Sequence, residues 1–518
     1  MDTIMKACAS YLVSSSTGPN HDKGMVEPAA PSACTSIPGN RPSPPMVSCP
    51  KGNSPTVPRW IRPLGYCETF MTNAHKFGIM TTVYALYLDS RTPIHIDLVR
   101  QAVHILYKKF PHLRLSIGHR NGTRWWKERN SDTLDVEEEK TKDITATFEA
   151  ILKRKYNVEE GPLWFMRFMK DTESEEFDTN HNLKYNYVCL FGFHHNFTDG
   201  TTNMKSCKVF MSILNDLILG RDINMAQEGY FALPLHDQMA DSRASYWYLF
   251  GVFIRRFYRG ILSYGAYVSN FTTSYPLSAQ NEASTKAIYY EIDEVATQNL
   301  LKRCKMERVT LNSAFTAAAN LGLYRIIQEY DSSLKETHFS SLQALNMRRY
   351  WPKEKQQNSF GCHISMLDVH FKTASTDIDD FWEYTRKVHS SVKSGLDETP
   401  RALLGLPIGE RINLIVQGNS WLSWLRLPST NDSHYCVTNM GNLSQTFPGT
   451  GTEVEVSRVV RSVSGHLMPS LCQHTLHTFR NRLCYSIDYY TQKMERETAE
   501  KYSKSIVDIL KESIFKPN

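Results

Sequence analysis

The ten residues from Phe191 to Gly200, FGFHHNFTDG, constrain the fold of this chain more than any other stretch. They end a short apolar run, Tyr187 to Phe193, whose aromatic and β-branched content fits a strand buried on both faces. From Met204 onward the apolar positions Met204, Cys207, Met211, Leu214 and Ile218 recur at steps of three and four until Gly220. That pattern describes a helix packed along one stripe and stopped by a glycine. His194 and His195 therefore fall at the carboxyl end of a buried strand, just ahead of a helix. In open α/β sheets such positions reach a crevice while the backbone stays anchored.

Three kinds of chemistry fit this placement. His195 and Asp199 are spaced His-x-x-x-Asp, and His194 and Asp199 His-x-x-x-x-Asp, spacings that also arise by chance. In the plainest case Asp199 only caps the following helix and the histidines are ordinary core or surface residues. A metal site would use both histidines and Asp199, but adjacent histidines would have to turn to one side of the loop, and no further histidine cluster accompanies them. General-base chemistry needs one imidazole, which titrates near neutrality and can take a proton from a hydroxyl or amine as it attacks. The aspartate then holds the loop.

The rest of the chain supplies the frame. Its 518 residues exceed one ordinary domain. With 41% hydrophobic and 22% charged residues it reads as soluble and globular, and its net charge of +6 is dispersed, with no basic run to indicate nucleic acid. Eleven cysteines without a Cys-x-x-Cys pair argue against a disulfide framework or a structural zinc. N-glycosylation sequons begin at Asn121, Asn196, Asn270, Asn431 and Asn442, and a glycan on Asn196 would block the histidines. No basic segment followed by a sustained apolar run opens the sequence, so a cytoplasmic, reduced protein is expected.

Residues 1–57 are rich in Ser, Pro and Gly and are expected to be a disordered tail. Residues 58–225 read as a mixed α/β subdomain. It contains a strand at Met80 to Leu88, a helix capped by Asp97 and running to Lys109, a proline turn and strand in FPHLRLSI, a helix from Thr147 to Lys155, a strand from Leu163 to Met169 and a polar loop from Asp171 to Asn182. Residues 226–283 form a crossover. Within it, Ala244 to Val268 is aromatic but broken by Arg255, Arg256 and Arg259, so its longest apolar stretch is too short to span a bilayer. It fits either a helix covering the core or an interfacial helix in peripheral contact with an internal membrane. Residues 284–518 read as a second α/β subdomain. A strand at Ala287 to Ile292 precedes a long alanine-rich helix capped by Thr310, three short apolar runs follow, and a strand at Leu483 to Tyr490 and a helix from Glu495 to Ile514 close the chain.

HHNFTDG resembles the HHxxxDG motif of the condensation-domain and chloramphenicol-acetyltransferase-like acyltransferases, a superfamily that includes alcohol acetyltransferases and polyketide-associated acyltransferases. IRPLGYCETFM, KKFPHLRLSI, VTLNSAFTAAA, ALNMRRYWP, NSFGCHIS, VTNMGNLS and LCYSIDYYT resemble its other landmarks in order, so the resemblance covers roughly residues 60 to 515. It implies an α/β (α+β) fold of two acetyltransferase-like subdomains in a pseudo-dimeric V with a tunnel between them. It implies His195 as the base that deprotonates the acceptor and Asp199 as the residue orienting the loop through an arginine, for which Arg348 is the candidate. Gly200 keeps the tunnel open, and His194 is structural or, with Asn442, part of the oxyanion environment. No metal and no bound cofactor are implied. The DFGWG element of the plant-type branch is absent, and VTNMGN is closer to the alcohol acetyltransferase and polyketide-associated branches. With no carrier-protein unit attached, acyl-CoA is the expected co-substrate, an alcohol the first acceptor and an amine the second, and the protein a monomer. Two alternatives are an inactive or carrier-protein-dependent condensation-like protein, and a glycerolipid-type acyltransferase using His194 and Asp199, whose Pro-Glu-Gly-Thr element is missing here.

Overall fold

A computed structural model describes residues 59–129, 131–141, 143–170, 185–234, 278, 283–356, 358–403, 433–447, 452–468 and 470–515. The N-terminal tail, the polar loop from 171 to 182 and the aromatic segment from 244 to 268 lie outside the described residues.

The first half runs β1 (Trp60–Pro63), α1 (Tyr66–His75), β2 (Thr81–Ser90), α2 (Ile96–Lys109), β3 (Leu115–Arg120), β4 (Thr123–Glu128), β5 (Val136–Glu138), α3 (Ile144–Leu152), β6 (Trp164–Lys170), β7 (Tyr185–His194) and α4 (Gly200–Ile218). After β8 (Tyr230–Phe231), the second half contains β9 (Thr285–Ile292), α5 (Glu294–Met306), α6 (Leu311–Tyr330), β10 (Glu336–Asn346), β11 (Ser359–Phe360), β12 (Ile364–Ala374), α7 (Phe381–Leu403), β13 (Tyr435–Asn442), β14 (Val454–Val463), β15 (Cys472–Phe479), β16 (Arg482–Tyr490) and α8 (Arg496–Ser513).

Two mixed sheets organise these elements. The first has the order β14-β2-β7-β6-β5, and the second β12-β10-β13-β15-β16-β9. β7 is central to the first and buried on both faces, which explains its unbroken apolar run. Cys189, Phe191 and Phe193 face α2 and α4, whereas Val188 and Leu190 face Phe148 and Ile151 of α3. In the second sheet α6 is buried along most of its length, because its row Ala314, Ala317, Ala318 and Ala319 lets sheet and helices approach closely.

Several local expectations shift. Asp97 is not a cap: His95 takes that position, and Asp97 sits in the first turn with its carboxylate 3.0 Å from Arg100. The helix expected from Thr147 starts at Ile144, because Asp143 accepts the Ala146 N–H. The helix after the motif starts at Gly200, where the Asp-Gly pair places it, with Asp199 as its cap.

A larger difference concerns the division into halves. β14 belongs by sequence to residues 284–518, yet it pairs antiparallel with β2 at the edge of the first sheet, with Arg461 opposite Tyr84. Asn215 of α4 holds Val454 by two hydrogen bonds, and Asp488 of β16 accepts from Ser462 and Val463 at the strand's other end. β14 thus ties the two sheets together beside the end of β7.

Candidate active site

The motif loop leaves β7 between two very different walls. His194 continues the strand alternation and turns to the α3 side, fully buried against the rings of His75 at 4.2 Å and Tyr156 at 5.6 Å. Its Nδ1 accepts the Asn196 N–H at 3.0 Å, so the ring proton sits on Nε2, which has no hydrogen-bond partner among the described residues. Burial, and then the neighbouring His75 and His195, push its proton affinity well below the ordinary imidazole value, so the ring is neutral. His75 is fixed too, with Nδ1 on the Ile79 carbonyl and Nε2 accepting from Tyr156.

His195 is nearly as buried. Its N–H donates to the Met80 carbonyl at 2.9 Å, and Met80 is held by Ser464 in a left-handed conformation, φ +68°, uncommon for a residue with a side chain. Burial lowers the affinity of this imidazole for a proton, and the Arg461 guanidinium lowers it further. Hydrogen bonds to the carbonyls of His195 itself and Thr198, with the charge of Asp199, pull the other way without overcoming the depression. Nδ1 of His195 has the Cys362 sulfur 3.8 Å away. The ring is therefore neutral, the protonation state a general base requires.

Asp199 does two structural jobs at once. Oδ1 accepts the Thr202 N–H at 2.9 Å and caps α4, while Oδ2 accepts from Arg348 Nη1 at 2.7 Å and from the His363 N–H at 2.8 Å. Burial alone would raise its carboxyl, but Arg348 and these donors outweigh it and hold it at about 2. The cap and the ion pair are the same side chain seen from its two oxygens. Both are spent on architecture, since neither meets His195.

Arg348, at the end of β10, also donates through Nε to Ser359 and through Nη2 to Thr202 and the Gly361 carbonyl. Gly361 has φ +141°, and a Cβ there would collide with the His363 ring, so this turn requires glycine. The arginine therefore clamps the α4 terminus to the β10 and β11 ends, 149 residues away in sequence. Gly200 is the first residue of α4, where an added Cβ would meet only the Tyr84 hydroxyl, at 3.6 Å.

Asn442 stands apart from this cluster. Its side chain is exposed, and its oxygen accepts the Ser444 N–H, capping a 3-10 turn after β13. Asn196 is fully buried and donates to Thr72, a position no glycan can occupy. Among the described residues, no group of three or more His, Cys, Asp and Glu side chains is arranged to hold a metal ion, and no helix is long and apolar enough to cross a membrane. A cavity of about 970 Å³ in the first half is lined by Arg129, Asp135, Arg154 and Arg167 among others and contains no motif residue.

Sequence reasoning missed four participants: Met80, Cys362, His363 and Arg461. Cys362 and His363 lie in the NSFGCHIS landmark, so a signal was present without a role attached. Arg461, in the strand RVVRSV, carried none, because an arginine in a strand ordinarily faces water.

Residues 134–512 match the sequence model of the family described as alcohol acetyltransferase, and the chain belongs to that family, which makes it an acyltransferase. No curated protein matches the chain. Among solved structures it is similar to the trichothecene 15-O-acetyltransferase TRI3 of Fusarium sporotrichioides, at 15% identity and a TM-score of 0.64 over 90% of this chain and 99% of that one. It is similar to the first condensation domain of the CDA synthetase, at 12% identity and a TM-score of 0.61 over 90% and 98%. The polyketide synthase associated protein 5 of Mycobacterium tuberculosis follows at 10% identity and 0.55 over 89% and 99%. At these identities the likeness establishes the fold, that of the acetyltransferase and condensation-domain superfamily.

Proposed function

We propose that this member of the alcohol acetyltransferase family moves an acyl group from acyl-CoA to the hydroxyl of a small acceptor, with His195 as general base. The observation that carries the proposal is the setting of His195: a neutral imidazole buried at a strand end, on a loop pinned by Asp199 and Arg348. Nε2 takes the hydroxyl proton as the acceptor oxygen attacks the thioester carbonyl. The carbonyl π pair moves to oxygen, giving a tetrahedral oxyanion. When the oxyanion collapses, the carbon–sulfur bond breaks and His195 returns the proton to the departing thiolate. An amine would follow the same route, and the family description favours the alcohol.

Asp199 acts by holding the loop rather than by touching substrate, because both oxygens are already occupied. Gly200 leaves room beside the Tyr84 hydroxyl for the reacting groups to approach. The test is free-thiol release when purified protein is given acyl-CoAs of several chain lengths and a panel of alcohols and amines. Acceptor-dependent thiol release is expected, alcohols ahead of amines; none with any pair would overturn the proposal.

A further inference from the structure

Five cationic side chains are buried among the described residues: Arg62, Lys109, Arg167, Arg348 and Arg461. Four meet a carboxylate. Arg62 lies 2.7 Å from Glu68, Lys109 3.4 Å from Glu228, Arg167 2.6 Å from Asp135 and Arg348 2.7 Å from Asp199. Arg461, only 4% exposed, meets none. Its Nε donates to the Tyr84 hydroxyl at 3.1 Å and its Nη1 to the Thr475 hydroxyl at 3.2 Å, one group from each sheet, and Nη2 has no hydrogen-bond partner among the described residues. The carboxyl in its electrostatic neighbourhood, Asp488, has both oxygens taken by Ser462 and Val463 and is pushed by burial to about 7, which leaves it poorly able to neutralise a cation.

Leaving a buried charge uncompensated costs several kcal/mol in general. A site that keeps one is built for a negative charge that arrives later. The location supports this: the Tyr84 hydroxyl joins Arg461 to the space beside Gly200, and Arg461 is, after burial, the largest influence on His195.

We infer that Arg461 is an anion subsite of the acyl-transfer centre, where the free Nη2 receives a negatively charged oxygen. The inference rests on the acyl-transfer proposal for what that oxygen is. It is either the oxyanion formed when the acceptor adds to the thioester, or a carboxylate carried by the acceptor.

Two measurements test it. Crystals of the wild-type protein and of Arg461→Met and Arg461→Lys variants are soaked in bromide and the anomalous signal is mapped. A bromide on the Arg461 head group is expected in the wild type, retained with lysine and lost with methionine; its absence from the wild type overturns the subsite. The second measurement is thiol release by the same variants across pH. If the charge is the reaction's oxyanion, Arg461→Met lowers kcat about 10²- to 10³-fold with a neutral alcohol, as loss of one oxyanion donor does. If it is an acceptor carboxylate, KM rises for carboxylate-bearing acceptors alone. In both cases the acid limb of kcat/KM moves to higher pH with methionine, because a cation that depresses His195 has gone, and lysine restores it. A purely structural arginine would change the melting temperature and leave the plateau kcat and KM alone, whatever the acid limb does, which overturns the inference. Should the wild type release no thiol with any acceptor, acyl transfer fails, while the bromide maps still decide the subsite.

Discussion

The two walls at the end of β7 hold adjacent residues of one type and make opposite uses of them. On the α3 side His194 is enclosed by His75 and Tyr156 and answers to the backbone of Asn196. Across the strand His195 faces groups delivered by the second half, Cys362 from the turn before β12 and Arg461 from β14. Both rings are neutral because both are buried, so proton affinity does not separate them. What separates them is what each ring faces, the aromatic rings of the first half or the groups brought by the second, and strand alternation decides that one residue at a time.

Replacing the bases in turn tests that division most sharply. His195→Ala is expected to lower acyl transfer by about 10²- to 10⁴-fold while leaving thermal unfolding nearly unchanged, the cost of losing a positioned base. Near wild-type thiol release by this variant with a confirmed acceptor would falsify the assignment.

Breaking the clamp behind both walls should mix the two effects. Asp199→Asn or Arg348→Met leaves one buried charge unpaired and is expected to cost roughly 3–5 kcal/mol in denaturant unfolding, with lowered activity. Combining them should cost less than the sum, since the double variant leaves no orphan charge. Equal additivity would show that the pair does not act as a unit. Asp199 also sets an acid limit. Its folded carboxyl is depressed from 3.8 to about 2, so its contribution to stability is complete above the ordinary value and is lost as pH falls between the two. Asp199→Asn should flatten that part of the stability curve.

The pH dependence of kcat/KM reads the His195 wall directly. A base must be unprotonated, so activity is expected above its pKa and lost as pH falls through it. With burial and Arg461 depressing it against Asp199 and two carbonyls, the midpoint should lie below the ordinary 6.5. An acid limb above that value would contradict the electrostatics of this wall.

His194→Phe should have a smaller outcome of the opposite kind. It removes the acceptor for the Asn196 N–H, expected to cost about 1–3 kcal/mol of stability, with less than tenfold lost in turnover. Activity falling as far as in His195→Ala would erase the contrast between the walls. Smallest of all should be Asn442→Ala, whose exposed side chain caps a 3-10 turn, costing about 0.5–2 kcal/mol through the lost cap and leaving kcat near wild type.

Much of the frame was legible because it is local. The strand at Tyr187, the helix after it and the Thr310-capped helix each announce themselves by periodicity and cap chemistry within a few residues. Boundaries slipped where another residue took the cap, as Asp143 and His95 did. The pairing of Asp199 with Arg348 was reachable only through resemblance, since no spacing rule links residues 149 apart.

By itself the sequence determined that a strand ends in two histidines before a helix, and which aspartate can cap that helix. Tertiary structure decided which histidine packs against His75 and Tyr156 and which faces the second half. It also carried β14 across to the first sheet, and with it Arg461, an arginine whose strand looks ordinary in isolation. The physical reason is that a side chain's charge state and exposed atoms depend on what packs against it, and here that packing comes from the other half of the chain.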